Sequence, residues 1–155
     1  MSTRGTCGEN FVTSPKNRLT LNPFFAFSIL HMKKTILIVE DELFFLETLK
    51  EEFIDSGFEV ETATNGAEAL VKLESKIPDL MLLDLIMPVM DGYVLLMKMK
   101  ERNLSCPVVV LSNISDPRSA LRCKQFGARA VLVKSNVDST KISDMIDEFV
   151  GAAAA

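Results

Sequence analysis

Five polar positions follow short apolar runs: Glu40 and Asp41 after TILIV, Asp84 after LMLL, Ser112 after VVVL and Lys134 after AVLV. Three acids, a hydroxyl and an ammonium suit one kind of chemistry. Carboxylates gathered in one crevice repel each other and are tolerated mainly when a hard cation neutralises them, and a few oxygens with room for several waters suit Mg2+. Beside such an ion a carboxylate can attack phosphorus and carry an acyl phosphate, which makes Asp84 the candidate nucleophile. Ser112 and Lys134 would then receive the phosphoryl oxygens. Phosphoryl transfer depends on in-line positioning and charge neutralisation more than on acid–base chemistry, so a site without histidine is adequate.

Taken singly, most of these residues have plainer readings. Asp41 or Glu42 alone suits a helix N-terminus, where an acid favours the dipole. Lys134 alone is a solvated strand end, and a serine after a strand is usually a turn residue. Asp84 resists this treatment, because an acid closing an apolar strand is costly to bury without a partner. Pro88 and Gly92 are read as loop geometry, the set Met81, Met87, Met90, Met97 and Met99 as core filling, and His31 has no assigned role.

The elements that must position these side chains alternate along the chain. Residues 35–39 form a β-branched apolar run that reads as a buried strand. Residues 43–54 place Leu43, Leu46, Leu49, Phe53 and Ile54 near one helical face, with Gly57 as a stop. Further strands are expected at 58–62, 80–83, 108–111 and 130–133, and helices from Asn65-Gly66 through 73, then at 93–101, 116–126 and 138–150. Five β/α units call for a doubly wound α/β fold, a parallel sheet covered on both faces. Ligands in such sheets bind outside the carboxyl ends of the strands, where strand order reverses.

Composition bounds the function. With 155 residues, 48% hydrophobic and 25% charged, the chain suits one domain plus an appendage. The net charge of −4 has the wrong sign for gripping nucleic acid, and no stretch approaches the roughly 18 apolar residues of a membrane span. Cys7, Cys106 and Cys123 form neither a disulfide framework nor paired metal-ligand motifs, which fits a reducing cytoplasm. Residues 1–31 carry +2 and the remainder −6. The first segment has no periodicity surviving Pro15 and Pro23, and no A-x-A cleavage site follows its Phe-rich patch. It is read as an irregular extension outside the fold, with Met32 a natural start, a domain at 32–150 and an Ala-rich tail at 151–155.

Four segments carry a resemblance: MKKTILIVEDE, DLIMPVMDGYVLL, VVVLSN and FGARAVLVKS. Residues 32–150 resemble the receiver domain of two-component response regulators, in the stand-alone form of the chemotaxis regulators. The resemblance implies a flavodoxin-like, five-stranded parallel sheet of order 2-1-3-4-5 with five helices. It makes Asp84 the phosphoacceptor, with Mg2+ held by Asp41, Asp84 and the backbone carbonyl of Ile86, and by Glu40 through water. Ser112 and Lys134 contact the phosphoryl group. Such a protein is no enzyme toward other substrates and catalyses only its own phosphorylation and dephosphorylation. Its implied partners are a sensor histidine kinase or histidine phosphotransfer protein in a phosphorelay, and a downstream protein target.

Two positions depart from the family pattern. Val131 stands where an aromatic switch residue is usual, and Ser135 where a proline usually follows the lysine. They support an alternative, a phosphorylation-independent interaction module, which the complete acidic site opposes. A small-molecule aspartyl-nucleophile phosphatase is a lesser alternative, because such enzymes carry a second acid two residues after the nucleophile and this chain has Ile86 there.

Overall fold

In the computed structural model, which describes residues 33–113, 116–136 and 139–151 together with 11–13 and 19–21, the β-branched run TILIV forms strand β1 (Thr35–Val39), buried along its whole length. The chain then alternates as expected: α1 (Leu43–Asp55), β2 (Glu59–Ala63), α2 (Gly66–Ser75), β3 (Leu80–Asp84), α3 (Gly92–Glu101), β4 (Val108–Ser112), α4 (Pro117–Gln125), β5 (Ala130–Val133) and α5 (Ser139–Gly151). A 3-10 turn, Lys134–Asn136, leaves β5. The five strands are parallel in the order β2-β1-β3-β4-β5. Strand order therefore reverses between β1 and β3, the place where the acids stand.

Alternation of side chains divides the core in two. Leu37, Val39, Met81, Leu83, Val108 and Val110 meet α2, α3 and α4 through residues such as Leu73, Leu95 and Cys123. Ile36, Ile38, Leu80, Leu82, Val109 and Leu111 meet α1 and α5 through Leu46, Leu49, Phe53, Ile142 and Ile146. The apolar face of α1 is narrower than its sequence pattern, since Leu43 and Ile54 are 64% and 48% exposed. Leu46, Leu49 and Phe53 recur every three or four residues and point inward, whereas Ile54 is one step of about 100° around from Phe53. Met81, Met87 and Met99 fill core as expected, but Met97 is exposed.

Among the described residues, Thr35, Glu40, Asp84 and Ser112 are the buried polar or charged ones. Three of these four gather at the carboxyl ends of β1, β3 and β4. No described helix is long and apolar enough to cross a membrane. Two short strands, Phe11–Thr13 and Leu19–Leu21, pair antiparallel within a unit distinct from residues 34–155. Cys7, residues 24–30, His31, Ile114 and the tail residues 152–155 lie outside the described residues. Cys106 is half-buried and Cys123 buried, and both are free thiols. Burial pushes the Cys106 thiol up to about 12, far from the thiolate that reactivity needs.

Candidate functional site

Glu40 extends the β1–β2 ladder by one bond, its amide donating to the Ala63 carbonyl at 3.0 Å. Its side chain turns inward and is 2% exposed. Asp41, the next residue, faces solvent. Glu42 occupies the N-cap of α1 but makes no side-chain capping bond. Its amide instead donates to Glu40 Oε1 at 3.1 Å, so capping does not account for this acidic run. Asp84 closes β3, and the Ile86 amide donates to its Oδ1 at 3.4 Å.

Lys134 reaches in from the end of β5. Its Nζ lies 2.6 Å from Glu40 Oε2 and 3.0 Å from Asp84 Oδ2, with 10% of the side chain exposed. Carboxylate oxygens of Glu40, Asp41 and Asp84 all lie within 4.8 Å of one another. Ser112 is fully buried. The register pairs Asp84 with Leu111 and Ser112 with Val133, which sets the hydroxyl-bearing residue between the strand ends that carry Asp84 and Lys134. All five candidate residues thus stand on the same edge of the sheet. An all-oxygen cluster of this kind fits a hard divalent cation such as Mg2+.

Burial pushes the Glu40 carboxyl above its usual range, the hydrogen bonds from Lys134 and the Glu42 amide oppose that without cancelling it, and the Asp84 charge adds to it. For Lys134, burial favours the neutral amine, but hydrogen bonds to Glu40 and Asp84, and their charges, outweigh it and the net shift is upward. The ammonium therefore stays charged at neutral pH. A carboxyl raised on folding stabilises the fold while protonated, and that contribution is lost as pH rises through its folded value. Glu40→Gln is accordingly expected to raise the melting temperature of the metal-free protein at pH 7, and to bring no gain below the usual value of 4.5. Thermal melts at the two pH values check this. A lower melting temperature at pH 7 would mean that the ion pair with Lys134 outweighs the burial of Glu40.

The loop from β3 to α3 is tied down at several points. The Gly92 amide donates to the Leu85 carbonyl at 3.0 Å, and the Gly66 amide at the start of α2 donates to the Met90 carbonyl at 2.9 Å. The Asp91 side chain caps α3, accepting from the Val94 amide at 2.9 Å. Between these anchors Val89 has φ +68 and is 86% exposed, a conformation that strains a β-branched residue. The strain is worth roughly 1–3 kcal/mol and glycine's extra unfolded-state freedom costs roughly 1 kcal/mol. Val89→Gly is therefore expected to stabilise the domain by about 1 kcal/mol in urea unfolding. A loss of stability would show that the valine contributes more than its strain costs.

The family profile for the response regulator receiver domain matches residues 36–147. The chain belongs to this family. Among curated relatives of the receiver, the Regulator of RpoS from Escherichia coli K12 is 38% identical over 116 residues, which are 73% of this chain and 34% of that protein. The chain thus spans about a third of that relative. The chemotaxis protein CheY of Bacillus subtilis is 34% identical over 104 residues, 66% of this chain and 87% of that protein. Among solved structures, a CheY-like receiver domain protein from Methanospirillum hungatei superposes with a TM-score of 0.72 at 28% identity, covering 77% of this chain and 95% of that one. The receiver fold and its 2-1-3-4-5 strand order agree with what the sequence motifs imply.

Around the receiver's atypical positions the packing is orderly. Val131 sits among the partly buried residues on the α2–α3–α4 side, with Tyr93 and Phe126. The Arg122 guanidinium stacks 4.7 Å from the Tyr93 ring centroid and 5.9 Å from that of Phe126. No described peptide bond is cis, so the bond from Lys134 to Ser135 is trans, as expected without proline. One participant escaped the sequence reading. The Phe45 ring centroid lies 5.2 Å from Lys134 Nζ, and neither residue carries a sequence signal of the other.

Proposed function

We propose that this receiver accepts a phosphoryl group on Asp84 from a phosphohistidine donor and passes the signal on by protein contacts. The observation that carries this reading is the burial of Asp84 within reach of one cation, Lys134 at 3.0 Å, and two further carboxylates. A carboxylate so placed has its charge compensated on one side and an oxygen left to react on the other. An Asp84 oxygen attacks phosphorus in line, the phosphorus–nitrogen bond of the donor breaks, and the released imidazole takes up a proton. Asp41, Asp84 and the Ile86 carbonyl would hold Mg2+, with Glu40 contributing through water, and the ion when bound would supply positive charge to offset the carboxylates and the entering group. Lys134 then moves one of its donors from Asp84 to a phosphoryl oxygen, and Ser112 takes another.

On this reading the protein is a cytoplasmic signalling component whose catalysis is confined to its own phosphorylation and dephosphorylation. The partner on the input side is a sensor histidine kinase or a histidine phosphotransfer protein, and that on the output side another protein. The net charge of −4 argues against direct contact with nucleic acid. Intact-mass measurement after incubation with Mg2+ and acetyl phosphate tests the reading. Gain of one phosphoryl group is expected. No gain would favour the phosphorylation-independent module that Val131 and Ser135 support.

The phosphorylated state is expected to be long-lived. Hydrolysis needs a water in line with the Asp84 oxygen, and a neighbouring group that can hydrogen-bond to water orients it. Ile86 stands two residues beyond Asp84 with 63% of its surface exposed and offers no such side-chain group. Ile86→Asn should therefore shorten the lifetime of the acyl phosphate severalfold, timed by loss of the added mass, and Ile114→Glu, at an equally apolar position two residues beyond Ser112, is the companion variant. Equal decay in wild type and both variants would show that these two positions do not govern how water is oriented toward the acyl phosphate.

A further inference from the structure

Phe45 lies in the first turn of α1, four residues beyond Asp41. It is half-buried and packs against the core shared by α1 and α5. Lys134 Nζ lies 5.2 Å from its ring centroid, inside the range of about 6 Å in which a ring quadrupole attracts an ammonium. The same ammonium is 2.6 Å from Glu40 and 3.0 Å from Asp84. We infer that Phe45 is a positioning residue for Lys134, its ring holding the ammonium between Glu40 and Asp84. This rests on the phosphoacceptor reading of Asp84.

The physical case turns on what the ammonium must do when a phosphoryl group arrives. It has three donors, and two of them point at the carboxylates in the resting site. On phosphorylation the contact with Asp84 has to give way to one with a phosphoryl oxygen while the nitrogen stays in place. Another hydrogen-bonding partner would hold the ammonium by direction and resist that change. A ring attracts the charge without fixing the orientation of its N–H bonds, so it retains the nitrogen and lets the donors turn. The aromatic group also covers a charge that is largely withdrawn from water, where such an attraction is strongest. The competing account is that the ring packs only on the methylene stem of Lys134, as apolar surfaces often do with lysine. The two differ in one property, because stem packing depends on the shape of the ring and ammonium holding depends on its electrons.

A series at position 45 separates them. The set comprises wild type, Phe45→Tyr, Phe45→Leu, and phenylalanine carrying an increasing number of ring fluorines, which keep its shape while draining the quadrupole. The rate of Asp84 phosphorylation by acetyl phosphate is expected to fall roughly three- to thirtyfold in Phe45→Leu. It should stay near wild type in Phe45→Tyr and decline stepwise with each added fluorine. In the metal-free wild-type protein, the Lys134 ε-methylene protons should show an upfield ring-current shift by NMR that Phe45→Leu abolishes. A flat fluorine series, a leucine variant as fast as wild type, or an absent ring-current shift would each overturn the inference. Failure of the wild type to take up any phosphoryl group would instead overturn the phosphoacceptor reading, and the mobility of the Lys134 ammonium across the fluorine series, read by 15N relaxation in the metal-free protein, would then decide whether Phe45 holds it: rising mobility with each fluorine supports holding, and a flat series overturns it.

Discussion

Asp84→Asn is expected to take up no phosphoryl group from acetyl phosphate, and the wild-type protein stripped of divalent metal is expected to match it. The variant lacks the carboxylate proposed as the nucleophile, and its amide is a poor nucleophile toward phosphorus. The chelated wild type fails for another reason. Oxygens of Glu40, Asp41 and Asp84 crowd within 4.8 Å of one another, and Lys134 is the cation seen to contact two of them. A phosphoryl donor brings further negative charge to this cluster. Like charges about 4 Å apart repel by about 4 kcal/mol at the effective dielectric of a protein surface, and each 1.4 kcal/mol or so is a factor of about ten in rate. One uncompensated pair is therefore enough to slow uptake by about a thousandfold. Adding excess Mg2+ back should restore the mass gain in wild type and leave Asp84→Asn unmodified. Asp41→Ala should bind Mg2+ more weakly by calorimetric titration yet melt like wild type, because the side chain it removes is exposed. Uptake by the chelated protein, or an unchanged titration in Asp41→Ala, would remove the metal or Asp41 from the site.

Much of this site is legible in the sequence because the fold class turns sequence position into spatial position. A parallel sheet delivers every strand to the same edge, so the residue after each apolar run is a candidate from its place in the chain alone. TILIV, LMLL and VVVL are buried from end to end, which is why they stand out as continuous apolar runs. The edge strand β2 is half-exposed, and its pattern places the start one residue early, at 58 instead of 59. Where the edge of the apolar face of α1 falls is not legible, since Leu43 and Ile54 match the helical period but turn to solvent. Nor is the meeting of Phe45 with Lys134. Their contact depends on the rotation of α1 and on how far a flexible lysine stem extends, and neither leaves a trace in spacing. The positive φ of Val89 is hidden for a related reason, because the residue type gives no warning of it.

Gly92 is legible only as loop geometry, and the structure gives that reading a definite cause. A β-carbon at this position would lie 2.5 Å from the Asp84 carbonyl oxygen and 2.9 Å from the Leu85 α-carbon. Both are backbone atoms of the segment that carries Asp84, so no side chain can rotate away to make room. Alanine is the better helix former by about 1 kcal/mol, and α3 begins at this residue. Overpacking against fixed backbone costs up to about 3 kcal/mol, which outweighs that gain. Gly92→Ala is therefore expected to lose about 2 kcal/mol in urea unfolding and, still folded, to accept a phosphoryl group much more slowly because Asp84 has moved. Gly57→Ala is the control. Gly57 has φ +93 and open space around it, so alanine there should lower stability through backbone strain and leave the phosphorylation rate unchanged. If Gly92→Ala is slowed no more than Gly57→Ala, the contact between Gly92 and the Asp84 backbone does not set the geometry of the site.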